Sequence, residues 1–223
     1  MKKTIVISCE TNQPELEKIK EITNCDYPIV YLDSKNHDRP ELLKKELQTI
    51  LDGLTETNEV LLAMGYCGHA LVGIRAGDFR MVIPKVDDCL TLFLGSMERR
   101  QAESKVATTY FFTKGWLDSN RNILHEYNAL VKRFGKESAN FVYATMFEHY
   151  ERLGLIDTGL FSIEPQTVKM KKVSDLLNLR YEVLDGSSEM IQALFLNPED
   201  ERFLIIHPFE EITQNHFTYM LNT

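Results

Sequence analysis

The sequence contains few cysteines, prolines and glycines and no long apolar run. Its 223 residues include only 4 cysteines, 7 prolines and 11 glycines, which excludes disulfide scaffolds, collagen-like chains and low-complexity proteins. No apolar run is long enough for a signal peptide or a membrane span, including the short run after Lys2 and Lys3. Lysine and arginine number 25 against 33 acidic residues, a net charge of -8, which argues against binding to nucleic acid. We therefore expect a globular protein of the cytoplasm with reduced thiols, and neither nucleic acid nor membrane as a partner.

Short apolar runs alternate with amphipathic runs through the first half of the chain. The order predicts strands and helices in turn, with strands over 4–8, 28–32, 59–64 and 79–83 and helices over 14–22, 40–54, from the turn at 65–69 to residue 73, and over 89–94. This alternation is typical of a three-layer Rossmann-like α/β fold, in which helices cover both faces of a mostly parallel sheet.

The second half of the chain is less regular. Its pattern predicts strands over 108–113, 160–163, 181–184 and 202–206 and helices over 117–134, 137–153, 167–177 and 190–195. No segment has the composition of a linker, and the sequence contains no internal repeat. We therefore expect a single α/β domain over residues 1–223, with about 1–107 and 108–223 as its two candidate lobes.

Three of the four cysteines fall at the carboxyl edge of the predicted sheet. Cys9 ends the first strand, Cys67 follows the third, and Cys89 comes just after the fourth, whereas Cys25 precedes the second strand. Open parallel sheets bind ligands at this edge, so the three thiols are expected to converge. The alternative for each is a small buried hydrophobic residue. Predicted helix N-termini at Cys67 and Cys89 are expected to lower the pKa of their thiols.

Three converging thiolates are a typical metal-ligand set. They could hold zinc or cobalt together with a further ligand, or an iron–sulfur cluster with one iron left open for substrate. No C-x-x-C pair is present, so the ligands would come from separate strands. His37, which follows the second strand, is the candidate additional metal ligand or catalytic proton donor. Zinc is slightly favoured because simple thiolate and imidazole sets suit it, but the iron–sulfur alternative stays open.

Two acidic residues beside the last of these cysteines are candidate catalytic groups. Asp87 and Asp88 directly precede Cys89. Either carboxylate could orient a metal ligand or act as a base, and together with His37 they form the predicted catalytic set. The alternative is that they cap the helix that begins at Cys89.

Candidate substrate-binding residues lie in two loops on the same edge of the sheet. Arg39 could hold an anionic group of a small-molecule substrate, or could belong to an ordinary surface loop. Gly65, Gly68 and His69 surround Cys67 in a turn that is similar to a phosphate-binding turn. Their spacing matches neither common nucleotide-binding motif, so a nucleotide is not favoured.

Several short motifs follow one another in an order found in a known family. They are a strand that ends at Cys9, His37 to Glu41, Met64 to Gly68, Val86 to Cys89, and Thr109 to Thr113 followed by Gly115-Trp116-Leu117. This order resembles the uncharacterised family called domain of unknown function 1638 (DUF1638). The sequence departs from one common version of the family pattern, with Asp88 where a histidine often stands and His69 where a small or polar residue often stands.

The resemblance implies a metabolic setting. Several members of the family look to be encoded near corrinoid-dependent methyltransferases, which implies corrinoid-linked one-carbon metabolism with a corrinoid protein or methyltransferase as partner. The chain would then be a metal-dependent methyltransferase, or an accessory protein that delivers a metal or corrinoid. An open-site iron–sulfur cluster would instead favour a lyase or a desulfurase. A third alternative is a metal-free enzyme with Cys67 as nucleophile and His37 as base. The resemblance also supports Cys9, Cys67 and Cys89, because all three lie in the shared motifs.

Overall fold

Two β-sheets organise the chain. The computed structural model describes residues 3–36 and 39–220. Its strands are β1 (Thr4–Cys9), β2 (Ile29–Leu32), β3 (Glu59–Leu62), β4 (Arg80–Pro84), β5 (Thr109–Phe112), β6 (Arg152–Asp157), β7 (Arg180–Asp185) and β8 (Phe203–Ile206). The first sheet has the order β2-β1-β3-β4-β8, and the second has the order β5-β6-β7. All neighbours are parallel except β8, which runs antiparallel to β4.

Helices surround both sheets. They are α1 (Gln13–Thr23), α2 (Pro40–Asp52), α3 (Cys89–Leu94), α4 (Met97–Val106), α5 (Lys114–Asp118), α6 (Ile123–Phe134), α7 (Lys136–Met146), α8 (Glu164–Leu177) and α9 (Glu189–Leu196), with 3-10 turns at Glu10–Asn12, Ser34–Asn36 and Gln214–Met220. Across residues 3–36 and 39–220, none of these helices has both the length and the apolar character needed to cross a membrane.

The alternation of side chains along β1 explains the layered core of the first sheet. Ile5 and Ile7 point to a core shared with α2, whereas Val6 points to a core shared with α1, α3 and α9. Every residue of β1 is buried, as expected for a parallel strand covered on both faces. The predicted three-layer α/β fold is therefore confirmed. Cys9 lies on the α2 face of this sheet.

The second sheet has its own core, which is formed with α5 to α8. Between residues 147 and 163 the sequence-based prediction is wrong. The predicted helix over 137–153 ends at Met146, and β6 follows it; the predicted strand over 160–163 is instead a series of bends and turns beginning near Gly159, whose φ is 70°. The apolar run from Leu153 to Leu155 pairs with β5 and β7. Because these partners are distant in sequence, the pairing leaves no local pattern from which the strand could be predicted. The division into two lobes stays a prediction, and β8 shows that the chain returns to the first sheet at its end.

Candidate functional site

The thiols of Cys9, Cys67 and Cys89 lie together at the carboxyl edge of the first sheet. Cys9 is the last residue of β1, Cys89 is the first residue of α3, and Cys67 lies in the turn that follows β3. Cys89 lies close enough to the other two cysteines to raise the pKa of both thiols. Cys25 lies elsewhere, with its sulfur 4.0 Å from the carbonyl oxygen of Phe195. The structure thus brings together the three cysteines that the sequence grouped, and their role as metal ligands stays a prediction.

A glycine at position 65 lets the turn that carries Cys67 approach the loop before α3. A Cβ atom on Gly65 would lie 2.7 Å from the backbone nitrogen of Asp88 and 2.8 Å from its Cα. Two residues after Gly65, the backbone N–H of Cys67 donates a hydrogen bond of 2.7 Å to the carbonyl oxygen of Asp87. The two chain segments are therefore fixed against each other, and this contact brings Cys67 beside Cys89.

The helix predicted after Cys67 does not form. Cys67, Gly68 and His69 have φ values of 48°, 62° and 75°, and such left-handed residues cannot continue a right-handed helix. The expectation that a helix N-terminus lowers the pKa of Cys67 is therefore wrong. Its pKa is raised well above the usual value, first by the hydrogen bond with Cys89 and then by burial.

A residue that the sequence analysis did not identify, Asn12, contacts the thiol of Cys89. Its side-chain nitrogen lies 3.2 Å from the sulfur of Cys89 and 3.1 Å from the hydroxyl oxygen of Ser8, and it donates to both. The pKa of Cys9 is also raised, mainly by its hydrogen bond with Cys89 and by burial. An N–H donor stabilises the negative charge that a sulfur gains when it loses its proton. Asn12 therefore offers such a donor to the sulfur of Cys89.

Asp88 caps α3, which is the alternative role considered for it. Its Oδ1 accepts a 2.8 Å hydrogen bond from the backbone N–H of Thr91, and Asp87 accepts one of 2.9 Å from the backbone N–H of Asp88. Burial, followed by the neighbouring charge of Asp87, raises the pKa of Asp88. The other oxygen of Asp88 is 3.7 Å from an Arg100 nitrogen, so this carboxylate faces the site as well as the helix.

The remaining predicted residues are distributed around this group. Gly68 lines the cavity next to the thiols, but neither Arg39 nor His69 does. Arg39 is exposed before α2, and the exposed His69 ring lies 4.7 Å from the ring of Tyr66. His37 lies outside the described residues, so its predicted role stays a prediction.

A cavity of about 400 Å³ opens beside Cys67 and Cys89. The first sheet and its loops provide the thiol side of the cavity, and the second sheet with α5 provides an aromatic side. The aromatic residues are Tyr110, Phe111, Trp116 and Tyr150. A small organic molecule in this cavity would therefore lie between sulfur atoms and aromatic rings, a mixture of apolar walls and few polar groups that is common in ligand sites.

A larger cavity, of about 710 Å³, lies further along the same edge. Most of the residues that line it are polar, among them Glu10, Ser34, Glu46 and Arg121. Its carboxylates are engaged, since Glu10 accepts from the Ser34 hydroxyl at 2.9 Å and Glu46 accepts from the backbone of Asp33 at 3.0 Å. None of the grouped thiols lines this cavity, so we take the smaller cavity as the candidate site.

Comparison with known proteins agrees with the order of motifs in the sequence. A family model described as "Protein of unknown function (DUF1638)" matches residues 31–195. The chain belongs to the DUF1638 family. The matched segment of this DUF1638 protein carries Cys67, Cys89 and Arg100, while Cys9 precedes it. Searches of curated proteins and of solved structures found no match.

The three thiols of this DUF1638 protein are, in chemical type, donors for a soft metal ion. Zinc, cobalt and iron–sulfur clusters all accept thiolate ligands, and Cys9, Cys67 and Cys89 would offer three of them. As the side chains stand, no three or more His, Cys, Asp or Glu residues within 3–36 and 39–220 are grouped so as to hold a metal ion. Ligation would therefore require the three sulfur atoms to move closer to a common centre as their protons leave.

Proposed function

We propose that the protein binds one thiophilic metal ion, zinc in the first place, through Cys9, Cys67 and Cys89, and acts on a small molecule in the adjoining cavity. The observation that carries this proposal is that Cys9 and Cys67 both lie beside Cys89 at one edge of the sheet, close enough for Cys89 to raise the pKa of each thiol. Folding alone does not require cysteines from three separate segments to be neighbours. Binding of one metal ion by all three thiols would require it.

The protonation state of the thiols sets a condition on metal binding. Thiols bind zinc as thiolates, so binding releases protons. Because the pKa values of Cys9 and Cys67 are raised, these thiols stay protonated at neutral pH until a metal displaces the protons. We therefore expect metal affinity to fall as the pH is lowered, and zinc titrations at several pH values would measure this.

The cavity supports a catalytic role over simple metal delivery. When bound, zinc supplies Lewis acidity and can make a coordinated thiol nucleophilic. The residues of the chain would then hold the substrate against the sulfur group, with Asn12 orienting Cys89 and Asp88 fixing the start of α3. His37 is the proposed fourth ligand or proton donor.

The proposed reaction class is methyl transfer in corrinoid-linked one-carbon metabolism of the cytoplasm. The volume of about 400 Å³ suits a small substrate, whereas a corrinoid is much larger. A corrinoid would therefore be presented by a partner protein or methyltransferase and not enclosed by this chain.

Metal analysis of anaerobically purified protein tests the proposal. We expect about one zinc per chain in the wild type, and none in Cys67→Ser or Cys89→Ser, because removing one of three thiolates leaves an incomplete site. Cys25→Ser is the matched control, since its thiol lies away from the group, and it should keep the metal. Thermal unfolding of each variant would separate metal loss from misfolding.

Two results would contradict the zinc proposal. Iron with brown absorption would replace the single ion by an iron–sulfur cluster. A metal-free wild type that fails to take up zinc or cobalt under reducing conditions would remove the metal altogether. Alkylation of a single thiol in that metal-free protein would then favour Cys67 as a nucleophile.

A further inference from the structure

We infer that the cavity beside the thiols is a carboxylate-binding site, in which Arg100 receives the carboxylate of a small molecule whose apolar body lies against the aromatic wall. This inference deepens the proposed function, because it names the substrate class of the same cavity. The binding it describes uses a side chain of α4 and requires no metal. It can therefore be tested separately from metal binding.

The guanidinium of Arg100 has an unused hydrogen-bonding edge. Its Nη1 atom is buried and has no hydrogen-bond partner among residues 3–36 and 39–220, and the side chain as a whole is 22% exposed. An arginine is always charged and carries five N–H donors but no acceptor. A buried charged donor without an acceptor is unfavourable, so this edge is suited to an acceptor supplied from outside the chain.

The nearby acid does not satisfy this need. Asp88 forms an ion pair with Arg100, in which its Oδ2 lies 3.7 Å from Nη2, a separation longer than a hydrogen bond. The second oxygen of Asp88 already accepts from the backbone of Thr91. A bound carboxylate at Nη1 would share the guanidinium with Asp88, whose carboxylate faces the neighbouring nitrogen Nη2.

The aromatic wall holds the guanidinium in place. The carbon at the centre of the Arg100 guanidinium lies 4.2 Å from the centre of the Phe111 ring, a cation–π contact that fixes its plane. The neighbouring arginine is directed elsewhere, since an Arg99 nitrogen lies 3.6 Å from Asp185. Trp116, Tyr110 and Tyr150 extend the wall beyond Arg100. A ligand with one carboxylate and an aromatic or aliphatic body matches this arrangement.

The chain carries its own reporter of binding. Trp116 is the single tryptophan of the sequence and lines the cavity, so its fluorescence should change when the cavity is filled. Metal-free protein would be titrated with benzoate and with benzamide, which has nearly the same shape but no charge. We expect saturable binding of benzoate, and binding of benzamide weaker by about tenfold or more, the ratio that one charged hydrogen-bonded contact gives.

Variants at two neighbouring positions make the test specific. Arg100→Gln should lose benzoate binding by about tenfold or more and leave benzamide binding unchanged, and Arg100→Lys should retain part of the preference for benzoate. Arg99→Gln is the matched control and should bind benzoate as the wild type does. Circular dichroism and thermal unfolding would show that each variant is folded.

The outcomes separate this inference from the proposed function. Equal binding of benzoate and benzamide, the absence of benzoate binding, or an unchanged benzoate affinity in a folded Arg100→Gln would overturn the inference. Benzoate binding that depends on Arg100 in a protein that takes up no metal would support the carboxylate site and remove the metal proposal. Loss of zinc in Cys67→Ser, together with no preference of the wild type for benzoate, would support the metal proposal and overturn the carboxylate site.

Discussion

Replacing Gly115 with alanine should lower the free energy of unfolding by about 3 kcal/mol or more. A Cβ atom at this position would lie 1.8 Å from the carbonyl oxygen of Thr11 and 2.9 Å from its carbonyl carbon. Both are backbone atoms of the 3-10 turn that follows β1, so no side-chain rotation can relieve the clash. Either α5 or this turn would have to shift, and both carry residues that line the cavity.

Urea unfolding of the wild type and Gly115→Ala measures this effect. Gly53→Ala is a suitable control, because its new Cβ would lie 3.5 Å from the nearest atom at an ordinary φ of -83°. The control should change stability by less than about 1 kcal/mol. A Gly115→Ala variant as stable as this control would show that α5 does not pack against the turn as described. Its Trp116 fluorescence should also differ from that of the wild type.

Glu15→Gln should make the protein more stable at pH 8 than the wild type, by up to about 3 kcal/mol. Glu15 is 1% exposed in the first turn of α1, and its Oε2 has no hydrogen-bond partner in the described part of the chain. Burial raises the pKa of Glu15 from 4.5 to about 7, against the opposing effect of hydrogen bonds from the backbone of Glu15 and Gly115. The folded protein therefore keeps a proton here that the unfolded chain releases.

The sign of the pH dependence follows from this difference. Below pH 4.5 the carboxyl is protonated in both states and its charge has no effect on stability. Between pH 4.5 and a folded-state pKa of about 7, the unfolded chain ionises and the folded protein does not, so stability falls as the pH rises. Above pH 7 the full loss remains. Glutamine cannot ionise and removes this loss.

Unfolding at a series of pH values, compared between wild type and variant, isolates the contribution of Glu15. The two stabilities should nearly coincide at pH 4 and separate through pH 7. Glu17→Gln, an exposed position on the same helix, should follow the wild type throughout. Parallel curves for wild type and Glu15→Gln would mean that Glu15 titrates normally in the folded state.

The sequence was sufficient to predict the grouping of the cysteines. Parallel strands place their carboxyl ends at one edge, and this rule alone puts Cys9, Cys67 and Cys89 in one region. The same rule does not predict the conformation of the turn at Cys67. The left-handed dihedral angles of this turn depend on the contact of Gly65 with Asp88. A tertiary contact between residues more than twenty positions apart leaves no local pattern.

Arg100 was missed for a different reason. None of the residues of α4 is buried, so the helix lacks the apolar periodicity by which helices are predicted. Its position beside the cavity depends on how the two sheets meet, which in turn depends on the close approach of Gly115 to Thr11. Sequence periodicity describes single elements and cannot give the relative position of two sheets.

Residues from both sheets line the cavity, so a bound molecule would affect the stability of the whole chain. The thiols belong to loops of the first sheet, while Tyr110 and Trp116 belong to the second sheet and its helix. A molecule in the cavity touches both sheets and acts as a non-covalent clamp between them. By mass action, the folded protein should become harder to unfold as the concentration of that molecule rises, so a thermal-shift screen of small carboxylates would search for the natural ligand without any assay of turnover.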